Sequence, residues 1–314
     1  MVGDITVDGS GQVQFSARDE MRIAGTDGNA LLRVGGEQAI VAQANTNGLV
    51  RVDLANDGVI EARGANAFLT LDTDSVVNRG RIGAEEGGTL RVGAPLGRTV
   101  IDNRSGELHA GAGGRLILQG ATHPSHTATT VIRGGEINGT GTVFMNGRVT
   151  LTDGVVLSPG NSPGVLTVDG NLALDPLGAL EIELFGATLG TEYDQLLVRG
   201  QLSLAGTLDL LLPSAFRPTS TDVFTVLSAT QLVGAFDNVR NGRIEFRYGS
   251  FDVLADRTSF RLVNFVAAVD PVGVPAPPVL PLLLGGVLLA LTARRKGHTW
   301  GPGRRRQTIP GAGC

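Results

Sequence analysis

The sequence predicts an all-β fold: a right-handed parallel β-helix (solenoid), closed by a β meander and followed by one C-terminal transmembrane helix. Three observations lead there. A motif of the form Asn-x-Gly-x-Ile/Leu-x-Ala recurs through the first half of the chain. Glycine supplies 46 of 314 residues and aromatics only 4%, a composition of many turns and narrow strands. The stretch between Asp270 and Arg294 carries no charge over 23 residues.

The first segment, Met1–Leu54, already alternates as strands do. Ile5-Thr6-Val7, Gln12–Phe15, Leu31–Val34 and Leu49–Leu54 are each bounded by Gly or Asn turn signals. No basic stretch leading into an apolar one precedes them, so no signal peptide is visible. The repeat then becomes explicit. Asn56-Asp57-Gly58-Val59-Ile60-Glu61-Ala62 is echoed by Asn78-Arg79-Gly80-Arg81-Ile82-Gly83-Ala84, and with one insertion by Asn103–Ala110. A weaker copy is Gly134–Gly139. The spacings are 22, 26 and 29 residues, measured from Gly58 to Gly80 to Gly106 to Gly135.

Each of the first three copies is followed by a second alternating strand: Phe68–Leu71, Gly88–Val92 and Gly114–Leu118. Short strands at an irregular period of this size suit a β solenoid whose loops accept insertions. Ile60, Ile82 and Leu108 should then stack in one inward row, and Leu69, Leu90 and Leu116 in another. The Asn residues are expected to form a ladder, with Gly supplying left-handed turns. A β-sandwich, the competing all-β architecture, does not predict these copies. The pattern continues to about residue 220 and changes from Asp222, where three strands joined by tight turns read as a capping meander. The expected organisation is 1–220 solenoid, 221–268 meander, 269–278 Pro-rich linker, 279–296 membrane helix with its basic cluster, and 297–314 disordered basic tail.

Charge and composition exclude several classes. The formal net charge is −4, from 26 Lys plus Arg against 30 Asp plus Glu. Six of the basic residues follow position 293 and no acid does, so residues 1–293 carry −10 and the tail +6. An acidic body argues against nucleic-acid binding through phosphate neutralisation. One cysteine, Cys314, excludes an internal disulfide framework and a Cys-based zinc site.

The tail opens with Val274-Pro275-Ala276-Pro277-Pro278, continues through the apolar Leu280–Ala293 and ends in Arg294-Arg295-Lys296. Residues 274–293 would span about 30 Å as a helix, a bilayer core. The basic flank places the C-terminal end in the cytoplasm and the body outside. This order resembles the PEP-CTERM sorting signal, in its VPLPA-type variant. The resemblance implies a Gram-negative envelope or exported protein, an exosortase-type processing enzyme as partner, and an association with exopolysaccharide. Val274, Pro275, Pro277, Pro278, Arg294, Arg295 and Lys296 are the sorting or anchoring residues it implies. Ala276 replaces the family's Glu, and the chain runs 18 residues past Lys296.

A second resemblance rests on Ser158–Gly164, Tyr193-Asp194-Gln195-Leu196 and Gly206-Thr207-Leu208. These segments are similar to autotransporter passengers and to PEP-CTERM β-helix proteins. Neither resemblance supplies a catalytic residue.

Three local patterns invite chemistry. Gly160-Asn161-Ser162-Pro163-Gly164 matches a nucleophile elbow by letter, but Pro163 has no N–H to offer an oxyanion hole. His123 and His126 form H-x-x-H around Pro124, without a zincin helix or third ligand. Asp72 and Asp74 lie two apart, so a strand would place both carboxylates on one side, as in acid-dependent polysaccharide cleavage. Solvated turns account for the last two patterns. The Gly111–Gly114 run lacks the acids of a calcium repeat. The reading is therefore a non-enzymatic, exported surface or adhesion protein without catalytic, cofactor or metal residues. The alternatives are a polysaccharide lyase or hydrolase on the same scaffold, or an autotransporter-type passenger.

Overall fold

The computed structural model describes residues 4–15, 21–25, 30–94, 97–120, 129–160, 163–213 and 215–268. The expected linker, membrane helix and basic tail lie outside the described residues, and with them Val274, Pro275, Pro277, Pro278, Arg294, Arg295 and Lys296. His123, His126, Asn161 and Ser162 lie outside them too.

Among the described residues the chain is all-β. Two sheets of 14 strands each hold its strands, and pairing is parallel over most of their extent. Up to Thr89–Val92, strands pair with their third neighbours in sequence. Leu31–Val34 lies between Ile5–Val7 and Asp53–Asn56, and Val59–Arg63 between Gln38–Ala42 and Arg81–Glu85. Three rows of strands result. The first two merge into one sheet and the third forms the other.

Side-chain alternation explains why these segments are strands. Ile40, Ile60, Ile82, Leu108, Ile137, Leu157 and Leu180 stand in register and are buried. So do Leu69, Leu90, Leu116 and Val143 in the other sheet. Each buried Leu or Ile contributes about 1.5–3 kcal/mol by leaving water. Ala42, Ala62, Ala84 and Ala110 follow in the next inward position, where the chain turns and space is least.

The described body differs from the expected right-handed β-helix, and the expected transmembrane helix falls on residues outside those described. The parallel sheets curl into a half-barrel, and no helix among the described residues is long and apolar enough to cross a membrane. The physical reason lies in two long strands, Arg98–Ala110 and Thr129–Gly139, each of which spans both rows. Residues 103–106 read as a turn, yet Arg98–Ala110 runs through them as one strand of 13 residues. It pairs with Ser75–Asn78 by its first half and with Arg81–Glu85 by its second, so two rows become one curved sheet. The bend is taken up by register shifts at Asp102, Arg104 and Glu107 against Thr129–Gly139. Arg104 closes on Asp102 with two hydrogen bonds of 2.9 and 2.8 Å across the bend.

The Asn repeat forms a buried ladder at this corner. Asn56 donates to the Asn78 Oδ1 at 2.8 Å, and Asn78 donates to the Asn103 Oδ1 at 2.7 Å. Asn103 donates onward to the Glu136 carbonyl at 3.3 Å. All three side chains are buried, and amides suit the position because each carries donors and an acceptor. At Gly58, Gly80 and Gly106 the Gly of the repeat serves a different need from the left-handed turn expected of it, whereas Gly135 does take a left-handed φ of 71°. A Cβ on Gly80 would stand 2.0 Å from the Gly58 carbonyl oxygen, so close approach of two turns excludes a side chain there.

The change of pattern after Asp222 coincides with a change of pairing. Phe224–Gly234 still pairs in parallel with Gln195–Leu204, but Ser259–Ala267 joins it antiparallel. Gly249–Ala255 and Arg243–Phe246 continue antiparallel. Aromatic rings fill this end of the core. Phe224 is buried with Tyr193, Phe216 and Phe251 at centroid distances of 5.2, 6.2 and 5.7 Å, all near edge-to-face. Among the described residues the last strand of the first sheet, Thr207–Leu211, pairs with Ala179–Glu183 alone. Asn238 covers part of its open edge, accepting from the Leu208 N–H at 3.0 Å and donating to the Leu208 carbonyl at 2.9 Å.

Candidate functional site

The repeat that buries Ile60, Ile82 and Leu108 turns their sequence neighbours outward. Stacking the copies in register sets Arg81, Glu107 and Glu136 side by side, and beside them Gly83, His109 and Asn138. Arg81, Glu107 and His109, with Glu85, form a compact group of ionisable side chains. His109 is largely buried, and it lies beside Gly83, where a Cβ would meet the His109 Cβ at 2.9 Å. Its Nε2 is 3.1 Å from Glu85 Oε1, and its Nδ1 is 3.2 Å from Glu107 Oε1 and 2.6 Å from Asn138 Oδ1. Acceptors therefore face both ring nitrogens.

Arg81 closes the group, paired with Glu85 and 3.8 Å from Glu107. The hydrogen bond from His109 holds the Glu107 carboxyl below its ordinary range; burial opposes this, while Asn138 and Arg81 reinforce it. Glu107 and Glu136 open onto a shallow depression of about 440 Å³ that Asp57, Arg79 and Arg81 also line. Further along the same sheet Glu181 stands in register with Asp209. Burial pushes the Glu181 carboxyl up, and Glu136, Asp209 and Glu183 add to the effect.

The carboxylates singled out from sequence have another setting. Asp72 and Asp74 sit between strands rather than on one, flanking Thr73. The Thr73 hydroxyl is turned inward, donating to Asp53 at 3.1 Å and to the Ser75 carbonyl at 3.0 Å. Both acids line one depression of about 200 Å³ with Arg51 and Asp53. Arg51 grips Asp72 at 2.8 Å, which leaves Asp74 the more exposed of the two.

The two segments of the second resemblance meet in space. Asp194 accepts the Gly164 N–H at 2.6 Å and the Glu183 N–H at 2.8 Å. It thus ties the loop that follows Gly160 to the strand Ala179–Glu183. Asp194 is buried. Desolvation pushes its carboxyl up to about 7, against the two backbone hydrogen bonds and with the help of the Glu183 charge. Its neighbour Gln195 donates to the Thr225 carbonyl at 2.8 Å. Pro163 and Gly164 therefore belong to a pinned turn, and no helix follows them.

Sequence reasoning passed over Glu85, Glu107, His109, Glu136, Asn138 and Asp194. A signal for Glu107, His109, Glu136 and Asn138 was present. Aligning the Asn-x-Gly copies places Val59, Arg81, Glu107 and Glu136 in one column, and Glu61, Gly83, His109 and Asn138 in another. For Asp194 the signal was an acid between Tyr193 and the apolar strand that begins at Gln195. No group of His, Cys, Asp and Glu that could hold a metal ion is present among the described residues. No family model and no curated protein matches the chain.

Proposed function

We propose that the chain is an exported, non-enzymatic surface or adhesion protein, held at or released from the cell envelope through its C-terminal sorting tail and working beside exopolysaccharide. The observation that carries this reading is the regularity of the described body. Each repeat is locked to the next by in-register apolar rows and by the Asn56–Asn78–Asn103 ladder, a construction suited to displaying an extended surface. The acids near the sequence-derived candidates are engaged structurally: Asp72 by Arg51 and Asp194 by two backbone N–H groups. The tail order from Val274 to Lys296 supports an address at the envelope, with the exosortase-type enzyme and the membrane as its partners.

The test is the intact mass and the terminal peptides of the native protein from envelope, culture and cytoplasmic fractions. The expected result is recovery in the envelope or medium, with a C-terminus between Val274 and Pro278 if the tail is cut. Recovery as soluble cytoplasmic material overturns the reading.

One observation favours a second reading, a polysaccharide lyase or hydrolase. Glu107 and Glu136 sit on adjacent strands beside Arg81 and a buried His109, and open to a depression. Cleavage of a polysaccharide panel that is lost in Glu107→Gln would promote this reading. Loss in Asp72→Ala or Asp74→Ala instead would move the chemistry to the other depression.

A further inference from the structure

We propose that the outer corner formed by Asn45, Asn47, Asn66 and Phe68 binds neutral saccharide rings. This deepens the surface reading and rests on it for where the polymer is met, while the binding itself is a property of the corner.

Two tight turns build it. Gln43 and Thr46 close one turn and Gly64 and Ala67 the other, with backbone hydrogen bonds of 3.2 and 3.1 Å. Asn45 and Asn66 occupy the left-handed region, at φ of 61° and 57°, and both are exposed. Asn66 donates to the Asn45 Oδ1 at 3.1 Å. That contact leaves the Asn45 amide nitrogen and the Asn66 amide oxygen without a protein partner among the described residues.

A turn explains an Asn at each of those two positions, but not what stands next to them. Asn47 begins a strand, is exposed and has no side-chain partner among the described residues. It faces Phe68 directly across the ladder. Phe68 is half-buried on the outward side of its strand. The Arg91 guanidinium lies over its ring at 5.3 Å, yet neither Arg91 nor Thr89 lines the depression. Part of Phe68 thus remains open to the depression.

The depression is shallow and open, measures about 550 Å³ and is lined by Asn45, Thr46, Asn47, Asn66 and Phe68. A pyranose presents an apolar face of C–H bonds, ringed by hydroxyls that both donate and accept. An aromatic ring matches the face, and amides, which also donate and accept, match the rim. No charged side chain lines the depression, so nothing in it compensates the desolvation of a uronate or sulfate. The corresponding turns of the next two repeats, Glu85–Gly88 and Gly111–Gly114, carry no amide side chain, which confines the site to this corner.

The experiment titrates the purified full chain with cellohexaose, laminarihexaose, maltohexaose and hexagalacturonate, followed by saturation-transfer NMR and calorimetry. At least one neutral hexamer should bind with a Kd on the order of 1 mM. Asn47→Ala, at an exposed position, and Phe68→Thr, which repeats the Thr89 found next in the row, should each weaken binding about tenfold or more. Asn146→Ala, at another exposed amide, should leave it unchanged. Unaltered unfolding midpoints keep the comparison valid, and Asn47→Ala carries the test alone if Phe68→Thr does not fold. Absence of binding to every neutral hexamer at roughly 10 mM, preference for hexagalacturonate, or binding indifferent to both substitutions overturns the proposal. Binding by a protein found only in the cytoplasm would sink the surface reading and leave the site standing.

Discussion

Asn78 is the middle member of the buried ladder, and its replacement by Ala tests whether the ladder holds the repeats together. Its side chain accepts one hydrogen bond from Asn56 at 2.8 Å and donates to Asn103 Oδ1 at 2.7 Å and to the Glu107 carbonyl at 3.1 Å. Each such bond is worth about 1 kcal/mol net. Removing the amide also strips the Asn103 Oδ1 of its donor, and a buried orphan costs about 1–3 kcal/mol. Asn56 suffers less, since its Nδ2 keeps the Gly58 and Arg81 carbonyls at 3.2 Å. The expected loss is about 4–6 kcal/mol, or roughly 10–20 °C in Tm for a body of this size. Urea and thermal unfolding of the parent and of Asn78→Ala measure it, and a double-mutant cycle with Asn103→Ala isolates the shared bond. Asn78→Asp should be worse than Ala at neutral pH, because it buries a charge and cannot donate, and should recover in acid. A loss below about 1 kcal/mol for Asn78→Ala, or strict additivity with Asn103→Ala, would refute the argument.

Three further outcomes follow from the same geometry. Gly80→Ala drives a Cβ to within 2.0 Å of a backbone carbonyl, whereas at Gly36 the nearest atom is 3.7 Å away. Gly80→Ala should therefore lower the urea midpoint sharply and Gly36→Ala leave it within error. Asp194 carries a carboxyl raised to about 7 in the fold. Between about pH 4 and about pH 7 the folded chain holds the proton and the unfolded chain does not, so this group makes stability fall as pH rises through that window. Asp194→Asn should flatten that part of the urea-midpoint profile, and an unchanged slope would count against the assignment. Phe224→Ala removes the ring that touches Tyr193, Phe216 and Phe251, and should cost about 3–5 kcal/mol by thermal unfolding.

Much of the body was legible because two regularities reinforce each other. Alternation says which residues of a segment face inward, and the repeat says which residues of different segments are neighbours. Together they place Ile60 beside Ile82 and Leu108, and Leu69 beside Leu90 and Leu116, as the register has them. The Asn ladder was legible for the same reason. The curvature was not. Asn103-Arg104-Ser105-Gly106 has turn chemistry, yet it lies within one strand whose two ends are paired with neighbouring strands, a tertiary effect that local composition does not carry. The reason for Gly80 was also hidden, because close approach and a left-handed turn ask for the same residue.

The candidate sites divide along the same line. The inward columns of the repeat are nearly invariant, since a one-residue slip would send every side chain to the wrong face. The outward columns are free to vary. In the column Glu61, Gly83, His109, Asn138 no two residues share a chemistry, and the Gly makes room for the imidazole beside it. Asn47, Phe68 and Thr89 likewise form an outward column. A scaffold of this type therefore specifies its sites one repeat at a time, with the inward register fixing which outward residues become neighbours. That argues for testing outward columns in pairs. Glu107→Gln combined with Glu136→Gln, and Asn47→Ala combined with Phe68→Thr, should each show coupling within the pair and none between the pairs, because no residue is shared by the two depressions.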